Sequence, residues 1–577
     1  MALGLPNLGR VLWYRAGVKL GINPVRRLRA RIPDGPFFTP PPLAGGGWGE
    51  GAALPAGIAL PTRDVPLPGA QTPDASQELP APLRRWWQRQ DYFGWFRVDD
   101  PAIPHWHRNP FTGAELPEPL RPWWQIPDFD ARVGDIKTIW EASRFDWVLT
   151  FAQHACLGEP EGLERLNAWL ADWVAHNPRY RGPNWKCGQE ASIRVMHLAV
   201  AARLLGQDRQ PAPALVGLLV AHLRRIAPTL RYAIAQDNNH GTSEAAALFI
   251  GGTWLAALGE PAGSAPSQTA AGLRGEDAGE DRTPPGAGPV VDAAEARRWA
   301  RLGRKWLENR ANRLIMADGS FSQYSVNYHR LMLDTYSLVE HWRRTLELPA
   351  FSPPLYDRLA AATRWLQALT QPETGDAPVL GANDGARLLP LGDSDYRDYR
   401  PAVQLAMALF LDRRAYGGVA EDRAEQAGAH AGADAEGNGV LAGSAAGRAV
   451  SADQAGCESE LGQSSQVASW NQPLRWLKIP VPAQAAAPPG SIQCDEGGYS
   501  LLRRGDAFAL LRYPRFCFRP SQADALHVDL WLGGFNHLRD AGSFSYNQGD
   551  DWLRYFSGTA SHNTIQFDDR DQMPRLS

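Results

Sequence analysis

Residues 214–259 read ALVGLLVAHLRRIAPTLRYAIAQDNNHGTSEAAALFIGGTWLAALG, two apolar segments joined by a short knot of amide, imidazole and hydroxyl side chains. In the first, 214–235, and the second, 243–259, apolar residues recur at the three-and-four spacing of a helix that buries one side. Thr242 or Ser243 offers a hydroxyl to cap the helix that Glu244 opens. Asn238, Asn239 and His240 then occupy a loop at a helix N-terminus, where free N–H groups and the helix dipole favour an anion. A capping loop alone needs one hydroxyl. It does not call for three amide or imidazole side chains in succession.

Outward from this pair the same spacing recurs in 189–206, 296–316, 331–346 and 355–370, and in 161–178 at Leu163, Leu166, Trp169, Leu170, Trp173 and Val174. No heptad is sustained, so the pattern predicts serial helix pairs, an α/α toroid or a similar stack, over 131–416. Residues 1–130 are rich in Pro, Gly and Trp and read as an irregular layer. Two low-complexity stretches, an insertion at 259–295 and a run at 417–469, are too poor in large apolar residues to form a core. In 470–577 the period turns alternating, with GGYSLLRRG, AFALLRYPR, ALHVDLWLGG, DWLRYFSG and SHNTIQFDD read as strands of an antiparallel β-sandwich that looks cut short at its C-terminus. The fold class expected is therefore α+β and multidomain.

Lys and Arg number 59 against 62 for Asp and Glu, a net charge of −3 that supplies no general field for nucleic acid or an anionic membrane. An anionic partner must then be held by local groups. The five cysteines are scattered without metal-type spacing. No run of about 18 apolar residues suggests a transmembrane helix, and the Arg- and Pro-interrupted N-terminus lacks a signal-peptide core, so the chain reads as cytoplasmic. Many of the 22 tryptophans stand in polar company, where they either stack on sugar rings or pack loops onto helices.

Three further segments carry chemistry. In 317–336 a turn at Asp318-Gly319 leads to Tyr324, Asn327, Tyr328 and His329, and a catalytic phenol there needs a cationic setting, for which Arg330, His240 and His329 are candidates; a buried structural role is the alternative for either tyrosine. Residues 184–195 hold Asn184, Lys186, Gln189, Glu190 and Arg194, and 381–399 hold Asn383, Asp384 and Arg387. From these and from the 238–244 stretch, Asn238, Glu244, Lys186, Gln189, His329, Asn383 and Arg387 are the expected contacts to sugar hydroxyls or carboxylates. In the strand region His527, His537, Asp540 and His562 offer zinc-type donors at loose spacing.

Taken together, NNHG at 238–241, DG followed by YH within 318–329, RDAGSFSYN at 539–547 and SHNTIQFD at 561–568 resemble the bacterial heparinase II/III-like polysaccharide lyases over about 135–577. The resemblance implies an α/α toroid followed by a β-sandwich, a periplasmic setting, and β-elimination on a uronate-containing polysaccharide such as a glycosaminoglycan or an alginate. It makes Asn239 and His240 the groups that neutralise the uronate carboxylate, and Tyr328 the proton donor to the leaving oxygen. It also places Asp540 and His562 at zinc positions. Where the family carries His-Ala-Asp, however, this chain reads Gln522-Ala523-Asp524. On a regular strand His527, five residues on, faces away from position 522, so a complete zinc site is not expected and no cofactor is required. Two alternatives stand beside the lyase: a weakly active glycan-binding relative in capsule or exopolysaccharide handling, and a toroid glycoside hydrolase using Glu190 with Glu244 or Asp384.

Overall fold

A computed structural model describes residues 4–40, 79–258, 292–417, 469–543 and 550–573. The helices are α1 (Gly4–Leu20), α2 (Lys137–Trp140), α3 (Asp146–Cys156), α4 (Pro160–His176), α5 (Gly188–Leu204), α6 (Pro213–Ile226), α7 (Leu230–Ala235), α8 (Asn239–Leu258), α9 (Ala293–Leu314), α10 (Val326–Thr345), α11 (Pro353–Leu369), α12 (Arg400–Leu411), α13 (Gln472–Trp476) and α14 (Asp550–Ser557). Two short hairpins lie among the N-terminal loops, β1 (Gln90–Tyr92) with β2 (Phe96–Val98) and β3 (Phe129–Asp130) with β4 (Gly134–Asp135). Strands β5 (Ile492–Cys494), β6 (Tyr499–Arg504), β7 (Ala507–Arg512), β8 (Val528–Leu532) and β9 (Phe535–Leu538) form one antiparallel sheet in sequential order.

The helices stand in two rows. Helices α3, α5, α8, α10 and α12 touch one another in turn, and α4, α6, α9 and α11 pack outside them. Position in the rows explains composition: α5 and α8 are buried on every side, whereas α9, an outer helix, buries only one stripe that includes Trp299, Gly303, Leu307 and Leu314. Gly303 sits where an added Cβ would meet the backbone of Phe249 at 2.4 Å, which lets α8 and α9 approach closely. Arg194 of the inner row, fully buried, donates to the carbonyls of Ser143 and Asn184 and to His222. Arg194 and the buried Asn184 therefore hold the core together and do not reach a sugar.

Several expectations change. The N-terminal layer contains a 17-residue helix, α1, that sequence reading left as irregular. Residues 292–295, read as the end of an insertion, are the N-cap Asp292 and the first turn of α9. The rest of that insertion, and 418–468, lie outside the described residues. Among the described residues the C-terminal region is a single five-stranded sheet and not a sandwich. DWLRYFSG, read as a strand, is mostly helical, because Trp552, Tyr555 and Phe556 fit helical spacing as well as alternation. SHNTIQFDD contains no strand.

The sheet joins the helices through Tyr324. Its hydroxyl accepts from the Phe518 backbone N–H at 3.0 Å and its ring lies under Arg512. Asp318 accepts from the N–H groups of Glu496 and Gly497 at 2.8 and 3.0 Å. Tyr324 is a structural pin.

Candidate active site

The knot that opens α8 is helical sooner than its sequence suggests. Asn238 is the cap, its Oδ1 accepting from the His240 N–H at 3.1 Å, so Asn239 and His240 form the first turn and Thr242 and Ser243 are buried inside the helix. The preceding turn at Asp237 has φ +49° and is held by Arg310 and Arg313 at 2.7 Å, and by the Asn7 amide at 3.0 Å. The Asn239 backbone N–H donates to Gln323 Oε1 at 2.8 Å, and its side-chain amide donates to Gln189 Oε1 at 2.6 Å. Two amide carbonyl acceptors, Gln189 on α5 and Gln323 in the turn before α10, thus fix the orientation of Asn239.

Facing this turn is a charged chain. The Tyr328 hydroxyl, on the first turn of α10, donates to Asp384 Oδ2 at 2.9 Å, and Lys137 Nζ reaches the same oxygen at 2.9 Å. Burial alone would raise the Asp384 carboxyl, but Lys137, Arg144 and these hydrogen bonds outweigh it and hold the group well below the usual carboxylate range. The fixed anion holds the Tyr328 hydroxyl in place. Beside it Arg144 grips Glu190 at 2.8 and 3.2 Å and also pairs with Glu141, whose carboxyl burial pushes up to about 7. His240 feels Glu190, Lys137 and Asp384, yet burial dominates and lowers its imidazole to about 4, which leaves it neutral at pH 7.

From His240 a cleft of about 660 Å³ runs toward α1, lined by Glu244, Lys186, Arg225, Trp123 and Trp124 and, from α1 and the turn after it, Arg15, Lys19 and Arg26. Arg225 lies 3.9 Å over the Trp123 ring and Arg26 5.2 Å over Trp124. Lys186 is paired with Asp128 at 3.0 Å. The buried Glu244 carboxyl is pushed up to about 8 by burial, with Arg225 opposing, and its Oε2 has no hydrogen-bond partner.

The structure therefore gathers Gln189, Glu190, Asn239, His240, Tyr328 and Asp384 in one place, with Lys186 and Glu244 along the same cleft. It separates others from it. His329 is fully buried, bonded through Nε2 to the Ala362 carbonyl at 2.9 Å and stacked on Trp365, so it neither touches a sugar nor charges the phenol. Arg330 turns to the Tyr396 carbonyl and Asn327. Arg387 is spent on Ser394, and Asn383 Oδ1 accepts from Gly385 N–H at 2.9 Å and lies 2.7 Å from the Tyr396 hydroxyl, shaping the loop that presents Asp384. Lys137 and Arg144, the cations nearest the chemistry, went unread in the sequence. Their signal was there: DIKTIWEASR places single charges in an apolar run, where a charge needs a partner.

In the sheet region His527, Asp540 and His562, all buried, bring ligand atoms within 4.8 Å of one another. The ground for excluding His527 fails, because 521–527 is not a strand: a turn with Leu526 at φ +61° redirects the chain. His562 Nδ1 lies 2.7 Å from Asp540 Oδ2, and neither Nε2 makes a hydrogen bond, although His527 Nε2 lies 3.8 Å from Asp529 Oδ2. Two imidazoles and a carboxylate supply three of zinc's usual four ligands, so the donor set fits that ion. Gln522 instead bonds the Gly542 carbonyl at 3.3 Å, and His537 is on the exposed edge strand β9. Among the described residues the four cysteines are free thiols.

Residues 486–577 match the family described as heparinase II/III-like, C-terminal, and this part of the chain is a domain of that kind. No curated protein matches the chain. Among solved structures it is similar to a heparinase III (15% identity, 82% of this chain and 58% of that one, TM-score 0.47). It is also similar to a methylated-lysine heparinase III gene product (12% identity, 78% and 59%, TM-score 0.39). A third is a mutant heparan sulfate lyase from Pedobacter heparinus (15% identity, 84% and 59%, TM-score 0.39). The chain spans 58–59% of the length of these proteins.

Proposed function

We propose that the cleft performs β-elimination on a uronate-containing acidic polysaccharide, with Asn239, His240 and Tyr328 as the catalytic residues. The observation that carries the reading is the convergence of four chain segments: the first turn of α8, the first turn of α10, the Asp384 loop and Lys137 on α2. A sugar carboxylate set against the α8 N-terminus meets the Asn239 amide and the neutral His240 ring, which stabilise the negative charge that develops as the C5 proton leaves. The C5–H electron pair becomes the C4–C5 double bond, the C4–O bond breaks, and the leaving oxygen takes the Tyr328 proton. Neutral His240 is suited to receive the C5 proton. Lys186, Arg225 and the basic residues from α1 supply the local positive charge that the net charge does not.

A retaining or inverting hydrolase needs one free carboxylate and one protonated partner flanking the bond. Glu190 is clamped by Arg144 and Asp384 is pinned by Lys137, which weighs against that reading. Zinc, if bound by His527, Asp540 and His562, would supply a cross-link in the sheet region.

The test is a panel of uronate glycans, among them alginate, heparan, chondroitin, hyaluronan and capsular polymers, assayed for the ultraviolet absorbance of an unsaturated uronate. Elimination produces it. Hydrolysis gives reducing ends without it, and a binding protein gives neither; either result rejects the proposal.

A further inference from the structure

α1 packs on the helical body by one side only. Asn7 bonds Asp237 and Tyr14 stacks on Tyr232 at 4.3 Å, while the opposite side exposes Leu5 (72%), Leu12 (58%), Trp13 (78%) and Leu20 (70%), continued past the helix end by Ile22 (65%). At 100° per residue these helical positions, with Leu8, form one stripe about 22 Å long. Large apolar side chains in such a row are not ordinary surface.

The charge beside the stripe names the occupant. Residues 1–33 contain seven basic residues, Arg10, Arg15, Lys19, Arg26, Arg27, Arg29 and Arg31, and no acidic one, so the rest of the chain is net acidic. Arg15 and Lys19 lie next to the stripe on the helix and Arg26 and Arg27 follow Ile22; all four are exposed, and among the described residues none of them pairs with a carboxylate. A Leu- and Trp-bearing face rimmed by Arg and Lys is the pattern of a helix lying in the interface of an anionic bilayer, apolar side chains among the acyl chains and cations at the headgroups. No described helix is long and apolar enough to cross a membrane, so α1 would lie on the surface. A second copy of the chain would present the same cations to themselves.

We infer that α1 is a membrane-surface anchor that seats the protein on anionic lipid. Because Arg15, Lys19 and Arg26 also line the cleft, docking through α1 sets the cleft mouth beside the bilayer. The inference shares Arg15, Lys19 and Arg26 with the cleft, but the apolar stripe that carries it lies on the side of α1 that the elimination reading does not use.

The experiment is co-sedimentation of the full chain with phosphatidylglycerol/phosphatidylcholine vesicles and with pure phosphatidylcholine vesicles, comparing the wild type with Leu12→Glu/Trp13→Glu. Both substituted side chains are exposed, so the fold is retained, and thermal melting checks it. Partitioning to the anionic vesicles should exceed that to neutral ones at least roughly tenfold and fall with salt, and the double substitution should abolish it. Absence of binding to anionic vesicles, or binding that the double variant keeps, overturns the inference. So does concentration-dependent self-association without lipid that the double variant removes, which would assign the stripe to a second copy.

Discussion

Replacing Asp384 with Asn tests the charged chain behind Tyr328 without changing its shape. In the wild type one carboxylate oxygen lies 2.9 Å from both the phenol and Lys137 Nζ, with side-chain exposures of 12% for Asp384 and 20% for Lys137. A hydrogen bond to a charged group contributes about 1.5–3 kcal/mol, so losing the phenol's anchor should lower kcat about 10- to 150-fold if that orientation is needed in the transition state. Breaking a buried ion pair costs about 3–5 kcal/mol; with both groups still partly wet, about 2–3 kcal/mol of folding stability is expected to go. Sign and pH follow from the depressed carboxyl: the stabilisation is present above the ordinary Asp range near 4 and is lost only as pH falls through the lower folded value. The stability gap between wild type and Asp384→Asn, read by urea unfolding, should therefore hold steady from pH 5 to 8 and close in strong acid. Equal stability at pH 7 would refute the ion-pair argument whatever the activity, and an unchanged kcat on a cleaved glycan would refute the role given to the Tyr328–Asp384 bond.

Three further outcomes are expected. The neutral His240, lowered to about 4 in the free protein, places the acid limb of kcat/KM near pH 4 and leaves it flat from 5 to 7; a limb near 6.5 would show an exposed, ordinary imidazole in its place. Glu244→Gln should gain stability relative to wild type as pH rises from about 4.5 through about 8, because the buried carboxyl must otherwise lose its proton there; the ceiling is roughly 5 kcal/mol, and a constant difference across that range would contradict it. Protein grown with zinc should carry close to one ion per chain and His527→Ala should lose it, with a lower Tm on chelation; zinc-free wild type would show that the three donors are held by hydrogen bonds alone.

The helical part was legible in α4–α6 and α8–α11, where apolar residues recur, although α5 and α8 prove buried on every side, and α3 and α12 were not read; the meander β6–β8 was legible because its strands alternate. Strand β9, FNHL, is too short and too exposed to leave a period. The site was half legible. Asn239, His240 and Tyr328 stand out because polar side chains crowd the starts of otherwise apolar helices. Their electrostatic frame does not, because Lys137 meets Asp384 across 247 residues and Arg144 meets Glu190 across 46, separations that no local pattern records. His329 misled for the opposite reason: adjacent to Tyr328 in sequence, it points about 100° round the helix into α11. Net charge misled in the same way, since a total of −3 conceals an acid-free basic stretch at one end.

The central claim is that Tyr328 passes a proton to the leaving oxygen in an elimination. The most direct measurement follows unsaturated-uronate absorbance on a cleaved glycan for wild type, Tyr328→Phe and Tyr324→Phe. Tyr328→Phe removes one hydroxyl together with its bond to Asp384, about 1.5–3 kcal/mol of stability, and should abolish the absorbance while leaving glycan affinity nearly unchanged. Tyr324→Phe loses only the bond to the Phe518 N–H, about 1 kcal/mol of stability, and should keep its rate. Full elimination activity in Tyr328→Phe would contradict the account.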